Sequence, residues 1–86
     1  MCTTLAAFIL LMLSNPNIEN KEVIRGEFSN QLVMQFLHQE LKNSTLAIFN
    51  QAEADTYLVA VFSNDCLLGR GEIKKTLWEA IRGRGA

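Results

Sequence analysis

The sequence is poor in the residues that most often form a chemical site. Its 86 residues include one histidine, one proline and two cysteines. No Ser-His-Asp arrangement, phosphate-binding loop or pair of carboxylates on one predicted face can be assembled from it. His38 stands at the edge of an apolar stripe with no candidate nucleophile or metal ligand near it in the chain, which is typical of a surface or packing residue. We therefore expect no catalytic residue, no cofactor and no metal site.

The two cysteines do not form a recognisable pattern. Cys2 and Cys66 lie too far apart in the sequence for a metal-ligand motif, and no second pair accompanies them. Nothing else in the sequence marks an oxidising compartment, so we expect two reduced thiols in an intracellular protein, cytoplasmic or nuclear. A structural disulfide is the alternative.

The composition is that of one small globular domain. Hydrophobic residues make up 49% of the chain and charged residues 20%, and the formal net charge is -1. Such a balance argues against a strong nucleic-acid binder. The segment from Arg70 to Ala86, however, has five basic and two acidic residues, a local charge of +3 that leaves -4 for the first 69 residues. A basic end of this kind suits phosphates or an acidic partner, and a solvated helix face is the alternative.

The longest apolar run lies near the amino terminus, from Leu5 to Leu13. No Lys or Arg precedes it and no cleavage site follows it, unlike a signal peptide, and it is too short to span a membrane as a helix. A segment that is apolar on every side is normally buried. We expect residues 1–27 to form an extension for packing or dimerisation, which buries these side chains against the domain's own helices or against a protein partner or second copy: Phe8, Leu10, Leu11 and Leu13.

Apolar spacing predicts two helices after Pro16, which ends the first element. A short helix is expected over residues 17–26. A longer helix is expected to begin at Ser29 or Asn30 and to end at Asn43 or Ser44, with an apolar stripe formed by Leu32, Val33, Phe36, Leu37 and Leu41.

The pattern then changes to that of strands. Residues 45–49 and 57–62 are rich in β-branched and aromatic residues, and a third strand is expected at residues 66–70. A last helix is expected over residues 74–82, closed by Gly83, with core contacts from Ile73, Leu77, Ala80 and Ile81. The sequence predicts an α+β fold in the order α-β-β-β-α, a three-stranded antiparallel sheet with two helices on one face, preceded by the apolar element.

This order, with Gly69-x-Gly71-x-x-Lys74-Lys75-x-Leu77 before the last helix, resembles the double-stranded RNA-binding domain over residues 28–86. The resemblance implies that the two lysines open the closing helix and bind phosphates across the major groove. It implies core positions for Leu77, Ala80 and Ile81, and paired apolar positions for Leu32 and Val33. The implied RNA contacts are Arg70, Lys74, Lys75, Gln31 and Gln35.

The sequence departs from the family's pattern in the loop between the first two strands of that pattern. Residues 51–55 read Gln-Ala-Glu-Ala-Asp, where the family carries Gly-Pro-x-His, and the two carboxylates would repel phosphates. Ile73 replaces the usual serine before the lysines. Two functions therefore stay open: a protein-protein interaction or dimerisation module on a divergent scaffold, and weak or accessory binding of double-stranded RNA through the basic start of the last helix.

Overall fold

The computed structural model describes residues 1–38 and 41–85. It has an α+β fold with one antiparallel sheet in the strand order β1-β2-β3-β4. The helices are α1 (Leu5–Leu13), α2 (Glu27–Leu37) and α3 (Lys75–Gly85). The strands are β1 (Ile18–Arg25), β2 (Ser44–Gln51), β3 (Thr56–Ser63) and β4 (Cys66–Lys74).

The sheet has four strands because residues 17–26 do not form the predicted helix. Ile18–Arg25 pairs antiparallel with β2 instead, and Val23 lies opposite Ala47 while Ile24 lies opposite Leu46. Neighbouring side chains of a strand point to opposite faces, so Ile24 reaches one core and Val23 the other face of the sheet. The prediction of three strands is therefore wrong. Residues 1–27 supply a helix, α1, and also the first strand of the four-stranded sheet.

The other elements match their predicted positions with shifted ends. α2 begins at Glu27 and ends at Leu37, several residues before the predicted end, because His38 adopts a left-handed φ of 52° and its N–H donates to the carbonyl of Met34. Gln39 and Glu40 lie outside the described residues. β4 continues to Lys74 and α3 begins only at Lys75. Gly83 does not close α3, which extends to Gly85, and Ala86 is outside the described residues.

Two separate hydrophobic cores lie on the two faces of the sheet. α2 and α3 cover one face, where Leu32, Val33 and Trp78 pack on the strands. The sheet residues of this core are Leu46, Ile48, Val59, Val61 and Ile73. The burial of Leu32 and Val33 is as predicted. Leu77 and Ala80 were expected to face the core but are exposed, and Trp78 lies there with Ile81. The prediction counted helical spacing from Ile73, which belongs to β4 and therefore does not mark the buried side of α3.

α1 covers the opposite face. Phe8 is 2% exposed, and its ring packs edge-on against Phe49 and Phe62, with centroid distances of 5.8 and 5.7 Å. Edge-to-face pairs of this kind add to the stabilisation gained by burying the rings. Ala47 and Ala60 complete the buried part of this second core.

The amino terminus is fixed to the start of β4. Cys2 and Cys66 form a disulfide with a Cα–Cα distance of 5.3 Å, so the prediction of reduced thiols is wrong. Two hydrogen bonds reinforce it: the N–H of Leu67 donates to the carbonyl of Thr3 at 2.9 Å, and the N–H of Leu5 donates to the side-chain Oδ1 of Asp65 at 3.2 Å. The pairing joins residues 64 positions apart, a separation over which sequence spacing carries no signal.

Replacement of Cys2 and Cys66 by serine should lower the free energy of unfolding by about 4 kcal/mol, because the disulfide closes a long loop in the unfolded chain. Urea unfolding monitored by Trp78 fluorescence measures the change. Reduction of the wild-type protein should produce the same shift, whereas the same reductant should leave the double serine variant unchanged. Equal stability of the oxidised and reduced wild-type protein would contradict the prediction.

Candidate functional site

α1 is apolar on both its inner and its outer side. Leu5, Ile9 and Met12 join Phe8 in facing the sheet at helical spacing. Thr4 accepts a hydrogen bond from the N–H of Ala7 and so caps the helix. No side chain before Glu19 carries a charge. The outer side therefore has none of the charged residues that normally cover a helix on the protein surface.

Three leucines make up most of this outer side. Leu10, Leu11 and Leu13 are 72%, 62% and 45% exposed, and Ala6 and Ala7 are exposed one turn earlier. We call these five residues the α1 outer face. Contiguous apolar patches on the surface of a soluble protein commonly mark an interaction site.

The four residues predicted to form a partner interface are thus divided. Phe8 is buried within the chain, but it contacts the sheet and not the domain's own helices. Leu10, Leu11 and Leu13 are exposed in a single copy, so the first alternative, burial against the domain's own helices, does not hold for them. Their contact with a second copy stays a prediction.

The side chain of Lys75 contacts other residues of the same chain. Its Nζ donates to the carbonyl of Gln51 at 3.1 Å and lies 5.5 Å from the centroid of the Tyr57 ring. Its backbone N–H donates to the carbonyl of Asp55 at 2.8 Å. A lysine held in this way is less available to a phosphate than one that projects into solvent.

Lys74 and Arg70 occupy a different surface. Both are exposed residues of β4. The resemblance implied that the two lysines open the last helix together, but Lys74 is the last residue of the strand and only Lys75 begins α3. Arg70 pairs in register with Ala60 and therefore faces the side of the sheet that carries α1. Lys74 stands four residues further along the same strand and faces the same side.

Gln31 and Gln35 lie on the other side of the sheet. They are exposed residues of α2, the helix that packs on the face opposite α1. The structure therefore does not bring the five predicted RNA contacts onto one surface. Arg82, another basic residue of the segment from Arg70 to Ala86, forms an ion pair with Glu22 at 2.6 Å.

An ionised carboxylate lies between the two basic residues of β4. Glu72 accepts hydrogen bonds from Nε2 of Gln51 at 3.0 Å and from Oγ1 of Thr56 at 2.8 Å. These two bonds hold the pKa of Glu72 below its ordinary value. Like any exposed glutamate, the side chain is ionised at neutral pH, and its negative charge lies between those of Arg70 and Lys74 along the strand.

The described residues 1–38 and 41–85 contain no group of three or more His, Cys, Asp or Glu side chains arranged to hold a metal ion. No helix within them has the length and apolar character needed to cross a membrane.

Comparison of the chain with protein-family models finds no match, and comparisons with curated proteins and with solved structures find none either. The resemblance to the double-stranded RNA-binding domain is therefore neither supported nor contradicted by a relative. It stays a prediction that rests on the residues quoted above.

Replacement of Lys75 by methionine should lower the free energy of unfolding by about 1 to 2 kcal/mol, because it removes a charged donor and a cation near an aromatic ring. Lys74→Met is the matched control, since it makes the same chemical change at an exposed neighbour and should alter stability by less than about 0.5 kcal/mol. Urea unfolding of the two variants measures the difference. Equal stabilities would mean that the contacts of Lys75 do not stabilise the fold.

Proposed function

We propose that this chain is a protein-protein interaction module that forms a homodimer through the α1 outer face. The observation that carries the proposal is the exposure of Leu10, Leu11 and Leu13 on a helix without any charged residue. Burying one leucine side chain fully is worth about 1.5 to 3 kcal/mol. A second copy that covers three of them gains a substantial part of the free energy that association requires.

The α1 outer face is complementary to itself. In an antiparallel, two-fold contact centred between Phe8 and Ile9, Ala7 lies opposite Leu10 of the second copy and Ala6 lies opposite Leu11. Small residues then face large ones on both sides of the axis, which is the arrangement that lets two helices pack closely. The absence of charge on both copies removes any like-charge repulsion from the contact.

Binding of double-stranded RNA is the alternative, and no specific observation favours it. Lys75 contacts its own chain, and Arg70 and Lys74 flank the ionised Glu72. The loop after β2 carries Glu53 and Asp55, which oppose phosphates. We therefore base the proposed function on the α1 outer face.

The disulfide also bears on the compartment. The expectation of an intracellular protein rested on reduced thiols, and the Cys2–Cys66 bond removes that basis. Disulfides form and persist in oxidising environments. We place the protein in such a compartment as part of this proposal.

Leu10→Lys combined with Leu11→Lys should halve the molar mass of the assembly, because two charges per copy would have to be buried in the contact. Sedimentation equilibrium over a range of concentrations measures the mass. Met34→Lys combined with Leu77→Lys is the matched control, since those residues are 45% and 48% exposed on helices of the other face. The control should keep the wild-type mass, and an unchanged mass for the α1 variant would refute the proposed contact.

A titration with an RNA duplex of about 20 base pairs, long enough for the ~16 that a double-stranded RNA-binding domain spans, tests the alternative function. We expect no salt-sensitive affinity at micromolar protein, since few phosphate contacts are available. Binding that weakens with salt, and weakens further in Lys74→Glu combined with Lys75→Glu, would favour RNA binding over the function proposed here.

A further inference from the structure

The outer edge of β4 is open along a short and well-defined stretch. β4 is the last strand of the sheet. At its beginning, Thr3 accepts the hydrogen bond of Leu67 and the disulfide holds Cys66, so the amino terminus covers that end. At its other end the chain enters α3 at Lys75. Within the described part of the chain nothing else pairs with this edge, which leaves Leu68–Lys74 with Gly71 at the midpoint.

The direction of the backbone groups on this edge follows from one hydrogen bond. The N–H of Lys75 donates to the carbonyl of Asp55, the residue next to β3. Backbone groups of an antiparallel strand point alternately toward one neighbour and the other. The groups of Gly69, Gly71 and Ile73 therefore point to β3, and those of Arg70, Glu72 and Lys74 point away from the sheet.

The side chains on the open edge alternate in charge. Arg70, Glu72 and Lys74 lie on one face, in the order positive, negative, positive. If a second β4 pairs antiparallel about an axis through Gly71, Arg70 of each copy lies opposite Glu72 of the other. Opposite charges directly across a strand pair are stabilising, and like charges are destabilising.

Other two-fold registers fit this edge less well. An axis through Arg70 or Glu72 places a charged residue opposite its own copy. An axis through Ile73 pairs Glu72 with Lys74 but leaves only residues 72–74 in contact, since α3 follows. The axis through Gly71 uses the whole open stretch. The irregularity in the pairing of β4 with β3 lies near Leu68, at one end of this stretch.

Glu72 accepts its hydrogen bonds from Gln51 and Thr56 at Oε1, on the side toward β3 and β2, which leaves Oε2 as the atom for Arg70 of a second copy to reach from the open side. Gly71 lies opposite its own copy at the axis. Because it has no side chain, no two side chains meet there on the face that carries α2 and α3.

We infer that β4 pairs antiparallel with β4 of a second copy about a two-fold axis at Gly71, which joins two four-stranded sheets into one. This contact is separate from the α1 outer face and does not depend on it. A chain with both contacts forms assemblies larger than a dimer.

The test exchanges the two charges in the Leu10→Lys, Leu11→Lys background, where the α1 contact is removed and the remaining dimer reports β4 alone. Arg70→Glu and Glu72→Arg should each raise the dissociation constant of this dimer by about tenfold or more, because each places like charges opposite one another twice. The double exchange of Arg70→Glu with Glu72→Arg should restore the affinity. Sedimentation equilibrium measures the mass of each variant.

Lys74→Glu is the control on the same face of the same strand, since Lys74 lies outside the two central charge pairs and its replacement should leave the dimer nearly unchanged. Urea unfolding of each variant separates loss of pairing from loss of fold. A background variant that is monomeric at every concentration, or a double exchange no tighter than its single variants, would overturn the inference. A background variant that keeps the wild-type mass would instead refute the α1 contact, and the charge exchange would still report on β4.

Discussion

Both faces of the two central strands are apolar, and the whole arrangement of the chain depends on covering them. Leu46–Phe49 of β2 and Val59–Phe62 of β3 are each four buried residues in a row. Strands of this kind cannot leave one face in water, unlike the alternating strands of most antiparallel sheets. α2 and α3 cover one face with Trp78, Leu32 and Val33, so the other face requires an element from the amino terminus.

α1 meets this requirement at the cost of a second apolar surface. A nine-residue helix has room for one inner stripe, yet its outer side carries leucines as well. The disulfide and the contacts of Thr3 and Leu5 with the start of β4 hold this short helix on the sheet. A helix so anchored does not need its outer leucines for packing within the chain, and this supports an intermolecular role for them.

The sequence is most informative where local pattern and burial agree. β2 and β3 follow from their β-branched and aromatic residues, and Leu32 and Val33 follow from helical spacing. The sequence predicts a helix where β1 lies. Charged residues interrupt the apolar pattern of this edge strand, so Ile18, Val23 and Ile24 fit the spacing of a helix as well as the alternation of a strand. The disulfide and the contact between Lys75 and Gln51 join residues far apart in sequence, and neither leaves a local signal. The sequence predicts that the leucines of α1 form a contact surface, which stays a prediction, and only the folded chain separates the buried Phe8 from the exposed Leu10 and Leu11.

The two proposed contacts lie on different parts of the sheet, and this limits the assemblies they can form. Each is a contact between identical surfaces about a two-fold axis, so each is complete in a dimer and neither can continue by itself. The α1 contact is made through a face of the sheet, whereas the β4 contact extends the sheet sideways. One copy can therefore make both at once. Two such axes close into a tetramer when they intersect at right angles and into a larger ring when they intersect at a smaller submultiple of 180°, and axes that do not intersect produce an open chain.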